Sequence, residues 1–595
     1  MRHQYDIGII GNCAYMAHID STANVCWLCW PQFDSQFIFG SLLDKEKGGV
    51  FKIYPDSGDF STKQFYYENT NVLCTEFTTP EGKFAVIDFA PRFLLYERYY
   101  KPLMLIRKIQ LLEGEPVINV ECQPVLNYGE NEAAISMGSN HLEYHGYPEG
   151  LRLTTNIPLT FIRNKRSFIL NEDKFLVLTY GIPLEANLEY TAEDFLRKTV
   201  YYWRDWVKST YITPYYQDAI IRSALAIKLH QFEQTGAIIA SATTSLPEFP
   251  GSGRTWDYRY CWLRDSYYTL SAFNHIGHFE ELENFFQYIA NIILLHKGRL
   301  QPMYTIDGTS DIAESEIPLR GYLDNRPVRI GNAAFTQTQN DVYGQVLVAL
   351  LPLFIDRRLI NKERIHSIEI VRSLLQMIDT TMEEPDAGLW EYRNKTQQHG
   401  YTFFFHWAGC HAAIKIFYAL GVSQKEIAYA QKLRSRAAGL LEQCFNPKLG
   451  AYTDAIGSGH LDASLLQLIT MGYLPPRSKK ARSHLKALEE KLMSPDKLFY
   501  RYIHDDGFGA PETTFLICSF WYIDALALMG RISEAIELFQ ELLKYRNHLG
   551  LLSEDIDTNT GSQWGNFPQT YSHVGQINSA IRIARKLDLP IFLNM

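Results

Sequence analysis

Thr191-Ala192-Glu193-Asp194-Phe195-Leu196, running on through Tyr201-Tyr202-Trp203-Arg204-Asp205-Trp206, reads as a helix standing where the periodicity of the chain changes. Upstream, from about residue 5 to 190, apolar and polar residues alternate with period two, as in Phe84-Ala85-Val86-Ile87-Asp88-Phe89, Val117-Ile118-Asn119-Val120-Glu121-Cys122 and Lys174-Phe175-Leu176-Val177-Leu178-Thr179. Turn signals such as Pro80-Glu81-Gly82 and Glu113-Gly114-Glu115-Pro116 separate these runs. Period two places every second side chain on one face, so this half is expected to be all-β, a large sandwich. Downstream, apolar residues recur at i, i+3, i+4 and i+7, the helical period.

Twelve helical segments are expected after residue 213, near 214–234, 264–276, 278–296, 338–355, 361–380, 406–420, 424–443, 462–471, 479–491, 511–529, 532–545 and 571–587. Long connections rich in glycine and aromatic residues (235–263, 297–337, 381–405, 444–461, 492–510, 546–570) alternate with short joins, several stopped by a glycine: Gly277, Gly421, Gly530. A barrel of six helical hairpins gathers such long loops at one end; an irregular helical bundle is the alternative. The expected division is a β-domain at 1–190, a helical linker at 191–212 and a helical domain at 213–595.

A net charge of −9 and a pI near 6.0, with no long run of Lys or Arg, give no footprint for nucleic acid or an anionic membrane. No stretch of about 18 apolar residues occurs. The start Met1-Arg2-His3-Gln4-Tyr5-Asp6 shows no secretory pattern, and nine cysteines among apolar neighbours read as reduced thiols, so a cytoplasmic location is expected. Aromatic residues make up 14% of the chain, which suits stacking on sugar rings and suits a large core equally well.

The long loops carry the candidate chemistry. Glu391 lies in Gly388-Leu389-Trp390-Glu391-Tyr392-Arg393, and Glu554 in Gly550-Leu551-Leu552-Ser553-Glu554-Asp555. Desolvation beside Trp390 is expected to favour the neutral acid at Glu391, and a hydrated loop the ionised form at Glu554. One acid and one base is the pairing that glycosidic cleavage by direct water attack requires. With 66 acidic residues in the chain, the bland reading is two ordinary loop carboxylates. Arg264 and Asp265 end the aromatic stretch Trp256-Asp257-Tyr258-Arg259-Tyr260-Cys261-Trp262-Leu263-Arg264-Asp265, where they suit adjacent sugar hydroxyls or a helix cap with its ion pair. The next long loop holds Tyr304, the rival carboxylates Glu314 and Glu316, and Arg326-Pro327-Val328-Arg329, whose arginines suit either substrate or ion pairs within the loop. Trp564 to His573 either closes a pocket wall or packs. His406, His411 and His573 read as core histidines. Metal-ligand spacing, a phosphate-cradling glycine loop and a serine nucleophile elbow are all missing from the sequence, so no cofactor is expected.

The strings Trp256 to Asp265, Arg326-Pro327-Val328-Arg329-Ile330-Gly331-Asn332-Ala333, Gly388-Leu389-Trp390-Glu391 and Leu551-Leu552-Ser553-Glu554, in that order, resemble glycoside hydrolase family 15, which holds glucoamylases, glucodextranases and prokaryotic trehalases. Ile19-Asp20-Ser21 through Trp27-Leu28-Cys29-Trp30-Pro31-Gln32-Phe33-Asp34-Ser35 resembles the opening of its prokaryotic members. The resemblance implies a β-sandwich followed by an (α/α)6 barrel and inverting hydrolysis of an α-glucoside. It makes Glu391 the general acid and Glu554 the general base, with carboxyl groups roughly 6.5 to 9.5 Å apart. Arg264 and Asp265 would hold the 4- and 6-hydroxyls of the terminal glucose and Trp390 would line that subsite, with Arg329 close by and Trp262 and Tyr304 among the substrate contacts. Many glucoamylases carry Gln after the base, where Asp555 stands here, and Asp557 is the base in a shifted alignment.

The leading expectation is therefore a glucoamylase-type enzyme releasing β-glucose from maltooligosaccharides or a starch-like glucan. The alternative is an α,α-trehalase of the same family, because trehalose presents a terminal α-glucose to the same carboxylates. More distant are an inverting sugar phosphorylase, which replaces the base by a phosphate pocket, and a sugar-binding protein without turnover.

Overall fold

In a computed structural model the described residues are 2–295, 299–359 and 367–587. Parts of the expected helices at 278–296 and 361–380 and of the loop at 297–337 lie outside them. Residues 7–180 form the β half. Its main sheet has eight antiparallel strands in the order Ala134–Met137, His141–His145, Leu151–Thr155, Lys174–Tyr180, Met104–Gly114, Gly82–Phe89, Leu73–Thr79 and Ser61–Tyr66. Two further sheets are a three-stranded one, Phe168–Ile169, Val117–Gln123 and Val50–Pro55, and a four-stranded one, Ile7–Gly11, Met16–Asp20, Val25–Cys29 and Phe37–Phe39. The buried Arg107 of the main sheet pairs with Asp88 at 2.7 Å and donates to the carbonyls of Phe51 and Ala23 on the other layers. Charge-assisted bonds satisfy a guanidinium that burial alone would penalise.

A short helix, α1 (Leu159–Arg163), interrupts the β half, and α2 (Leu188–Lys208) follows its last strand. Among the described residues twelve α-helices come next: α3 (Gln217–Leu229), α4 (Leu263–Ile276), α5 (Phe279–Leu295), α6 (Asp341–Ile355), α7 (Ser367–Thr381), α8 (Gly400–Leu420), α9 (Gln424–Glu442), α10 (Gln467–Thr470, entered through the 3₁₀ turn Ala463–Leu466), α11 (Lys479–Leu492), α12 (Leu516–Met529), α13 (Ile532–Leu543) and α14 (Thr570–Leu587). Contacts run from α4 to α6, α8, the turn before α10, α12, α14 and back to α4, closing an inner ring. This is an (α/α)6 barrel. The division of labour is legible in the pair α12 and α13. On outer α13 the buried residues are Ala535, Leu538, Phe539 and Leu542, one stripe at i, i+3, i+4 and i+7, whereas inner α12 is buried on every side from Leu516 to Ala527.

Two elements depart from expectation for physical reasons. Helix α8 starts at Gly400, before the expected 406, because Tyr401-Thr402-Phe403-Phe404-Phe405 is buried all round and carries no amphipathic signal. Helix α12 starts at Leu516, after the expected 511, because Thr514-Phe515 is spent pairing with Asp555-Ile556 in a small sheet. Inner helices α6 and α8 cross at glycines: a Cβ on Gly344 would lie 2.0 Å from the Phe405 carbonyl oxygen, so only glycine permits this approach.

The first sheet reaches the barrel loops. Trp27 Nε1 donates to Ala242 O at 2.7 Å, His18 Nε2 to Phe567 O at 3.0 Å, and Arg259 to Ser35 O at 2.7 Å. The N-terminal motif thus braces the loop that carries Glu554 and the loop that leads into α4. No helix among the described residues is long and apolar enough to cross a membrane.

Candidate functional site

One cavity is walled by residues from five of the long loops and from the starts of α4 and α14, including Glu391 and Glu554 together with Trp262, Arg264, Asp265 and Trp390. Glu391 is set by a tight turn. Its amide donates to Gly388 O at 3.2 Å, and its φ of 61° is left-handed, a conformation that costs a non-glycine residue about 1 to 2 kcal/mol. Beneath the turn, the buried Asp386 accepts from the amides of Gly388 and Asn340 and from Thr402 Oγ1. Burial pushes its pKa up to about 7. Trp262 Nε1 donates to Glu391 Oε1 at 2.7 Å, and Gln339 Nε2 and Arg264 reach the same oxygen at 3.3 and 3.4 Å. All these contacts fall on Oε1.

Glu554 precedes the strand Asp555–Ile556. Tyr258 donates its hydroxyl to Glu554 Oε1 at 2.7 Å, while Oε2 is buried without a hydrogen-bond partner among the described residues. Gly565 lies against this carboxyl: its φ is 77°, and a Cβ there would be 2.5 Å from Oε2. The carboxyl environments reverse the expected ones. Glu554 is only 1% exposed, whereas the Glu391 side chain retains 22%. Burial first, then the charge of Glu248, pushes the Glu554 pKa up to about 8, against the Tyr258 hydrogen bond and the Arg501 charge. Leu551-Leu552-Ser553 folds the strand entry inward, so the loop is not hydrated. His573 anchors it from within, accepting from the Leu552 amide and bonding Ser223.

Arg264 and Asp265 open α4. Arg264 donates to Leu389 O at 2.8 Å, and its Nε lies 3.3 Å from Asp265 Oδ1. Burial raises the Asp265 pKa to about 6 against the pull of Arg264. Trp390 is pinned by Nε1 donating to Asp462 at 2.7 Å, with Tyr502, Phe515 and Trp521 around its ring. Arg329 and Tyr304 are not on the cavity wall. Arg329 is buried behind it, donating to Gly253 O and Thr255 O with its guanidinium over Trp256, and Tyr304 OH accepts from the Gln301 amide. Glu314 pairs with Arg393 at 2.8 Å and lies near Arg329, Glu316 is mostly exposed, and Arg326 is exposed, all three off the wall. Asp557 caps its own turn by accepting from Asn559 N, and Asp555 is buried behind Glu554. Trp564 stacks on His3 instead of facing the cavity, while Gln569 and Tyr571 of the same motif line it.

Reading the sequence left out Tyr258, Glu248 and Arg501. Tyr258 stood inside a motif already singled out. Glu248 accepts from Arg501 and, at 2.9 Å, from Trp256 Nε1, linking loops some 250 residues apart in sequence, a relation no local pattern carries.

The sequence matches the model of glycosyl hydrolases family 15 over residues 214–581 and that of a trehalase-like N-terminal domain over residues 6–158. It is 33% identical to a trehalase of Thermoplasma volcanium, covering 98% of this chain and 93% of that one. It is 30% identical to a trehalase of Mycolicibacterium smegmatis over 98% of this chain and 91% of that one. Among solved structures it resembles a crystal structure of a bacterial glucoamylase complexed with acarbose, with a TM-score of 0.72 at 15% identity, covering 98% of this chain and 94% of that one.

Proposed function

The chain is a member of glycosyl hydrolases family 15 and a glycoside hydrolase, and from that premise we propose that it is an inverting α,α-trehalase. The glucoamylase reading gives way to its alternative because whole-length relatives near one-third identity are named trehalases, while the glucoamylase likeness is one of fold. The observation that carries the mechanism is the pair of carboxyls in one cavity, each held through a single oxygen by a different aromatic donor.

Trehalose places one glucose among Arg264, Asp265 and Trp390. Glu391 Oε2, which none of the hydrogen bonds to that carboxyl uses, gives its proton to the bridging oxygen. Glu554 Oε2 takes a proton from the water that attacks the anomeric carbon from the opposite face. The first glucose leaves as the β-anomer, and the second, whose C–O bond is untouched, leaves as the α-anomer. Arg264 and Trp262 stabilise the anionic Glu391 that remains. In this proposal residues 1–190 brace the loops, α2 connects, and 213–595 carry the chemistry.

Proton NMR of the anomeric signals in the first minutes of reaction tests both claims. Equal α- and β-glucose from trehalose is expected. α-Glucose alone would refute inversion, and cleavage of maltotriose with trehalose untouched would refute the trehalase assignment.

A further inference from the structure

Among the residues that line the cavity, Arg264 and Asp265 are 9% and 7% exposed, whereas Phe508 is 37% exposed. Phe508 is the tip of the loop Arg501–Gly509, whose shape is locally fixed. Asp505 Oδ1 accepts from the amides of Gly507 and Gly509, and Asp506 Oδ1 from the amide of Phe508. At Gly507 φ is 102° and a Cβ would sit 2.2 Å from Asn394 Nδ2, so the loop lies tight against the segment that follows Glu391.

The loop is also tied across the cavity. Arg254 donates to both oxygens of Asp506, at 2.9 and 2.7 Å, and to Gly509 O at 2.8 Å, and Tyr502 donates to the same carboxyl. The bidentate pair is 7% exposed on each side, where a fork-to-carboxylate bond is neither screened nor loose. The Phe508 ring then meets Trp256 edge-on at 5.3 Å, and Arg393 stands 4.4 Å from the Trp256 centroid. Loops from three different hairpins are thereby joined into one wall.

We propose that this wall, latched by Arg254 and Asp506, sets the chain-length limit of the site at two hexose units, making these two residues determinants of specificity. The inference rests on the trehalase reading. A 1,1-linked disaccharide uses both anomeric carbons and has nowhere to extend, whereas the second ring of a maltooligosaccharide continues through its own anomeric oxygen. A wall built of paired charges and packed rings accepts the first and blocks the second.

The test compares kcat/KM for trehalose and maltotriose in wild type, Asp506→Ala and Phe508→Ala, with thermal unfolding run alongside. Both variants are expected to raise the maltotriose-to-trehalose ratio about 10-fold or more, chiefly through KM. Phe508→Ala removes a partly exposed ring, so the second variant reads the wall even where loss of the ion pair unsettles the fold. Wild type that cleaves trehalose, with the ratio unmoved in both variants, overturns the wall and leaves the trehalase reading intact. Wild type that prefers maltotriose overturns the trehalase reading, and a site that admits three units overturns the two-unit limit with it.

Discussion

Trp262 and Tyr258 meet edge to face, ring centroids 5.4 Å apart and planes at 72°, and each donates a hydrogen bond to a different one of the two cavity carboxyls. Both rings come from one five-residue stretch, so the spacing of the carboxyls is set by a packed aromatic pair and not by their mutual repulsion. Such a pair contributes about 0.5–1.5 kcal/mol beyond its buried area, enough to resist reorientation of either donor. The two donors also differ chemically. An indole N–H donates and never accepts, which fixes Glu391 Oε1 as an acceptor and leaves Oε2 as the oxygen free to face a substrate.

Glutamine at either carboxyl separates their roles. Glu391→Gln is expected to lower kcat on trehalose by ~10²–10⁴-fold and to recover most of that loss on an α-glucosyl fluoride, whose leaving group needs no proton. Glu554→Gln is expected to lose as much on trehalose and to recover nothing on the fluoride, since water activation is still missing. Single-turnover kinetics on both substrates checks this. Rescue of the Glu554 variant alone would exchange the two assignments.

Tyr258→Phe removes the hydrogen bond that favours the ionised form of Glu554. The free-enzyme pKa, already pushed up to about 8 by burial and Glu248, then rises further. The acid limb of kcat/KM against pH reports this group, so it lies well above the ordinary carboxylate range in wild type and moves to still higher pH in the variant. Substrate-saturated and subsaturating pH profiles measure it. An acid limb near pH 4.5 in wild type would show that Glu554 ionises as an unburied carboxyl does.

The architecture was legible because it is written in repeats: period two before the helix at Leu188–Lys208, apolar recurrence at the helical period after it, long loops on alternate joins. The misplaced starts have separate causes: α8, buried on all sides, loses the polar face that marks its end, and the residues expected to open α12, Thr514-Phe515, are taken into strand pairing. Within the site, motifs placed Glu391, Glu554, Arg264, Asp265 and Trp390 on loops or helix starts that do meet. Arg329 stood in a motif as prominent, yet it ties loops together behind the wall. Residue type and spacing show that an arginine is held, and only the fold shows what it faces. The electrostatics were the least legible: Trp390 beside Glu391 suggested the buried acid, but Glu554 is buried by Gly565 and the Leu551-Leu552 entry, contacts made through the folded chain.

A carboxyl whose folded pKa is raised stabilises the fold only while protonated. For Glu554, with about 4.5 as its ordinary value and about 8 in the fold, the contribution is full below pH 4.5 and is lost as pH rises through 8. Glu554→Gln, which cannot ionise, is therefore expected to gain stability over wild type between those limits, on the order of 2–4 kcal/mol by pH 9. Urea unfolding of both proteins at pH 4.5, 6.5 and 9 tests the sign. A difference that does not change with pH would mean that Glu554 carries the same proton in both states.

Gly565→Ala joins strain to a collision. The residue sits at φ 77°, where an L side chain costs about 1–2 kcal/mol, and its new Cβ would be 2.5 Å from Glu554 Oε2 and 2.6 Å from the Glu554 Cβ. Rotation of the Glu554 side chain relieves the first contact but not the second, so the carboxyl must shift away from Tyr258 or the turn must open. Either movement misplaces the proposed base, and misplacement by an ångström costs on the order of 10²-fold in rate. The expected result is a folded protein destabilised by roughly 1–3 kcal/mol, with kcat on trehalose down about 100-fold and KM little changed, because Arg264, Asp265 and Trp390 stay where they are. Steady-state kinetics with urea unfolding reads both terms. Near-normal kcat in a destabilised protein would place the operative base elsewhere than Glu554.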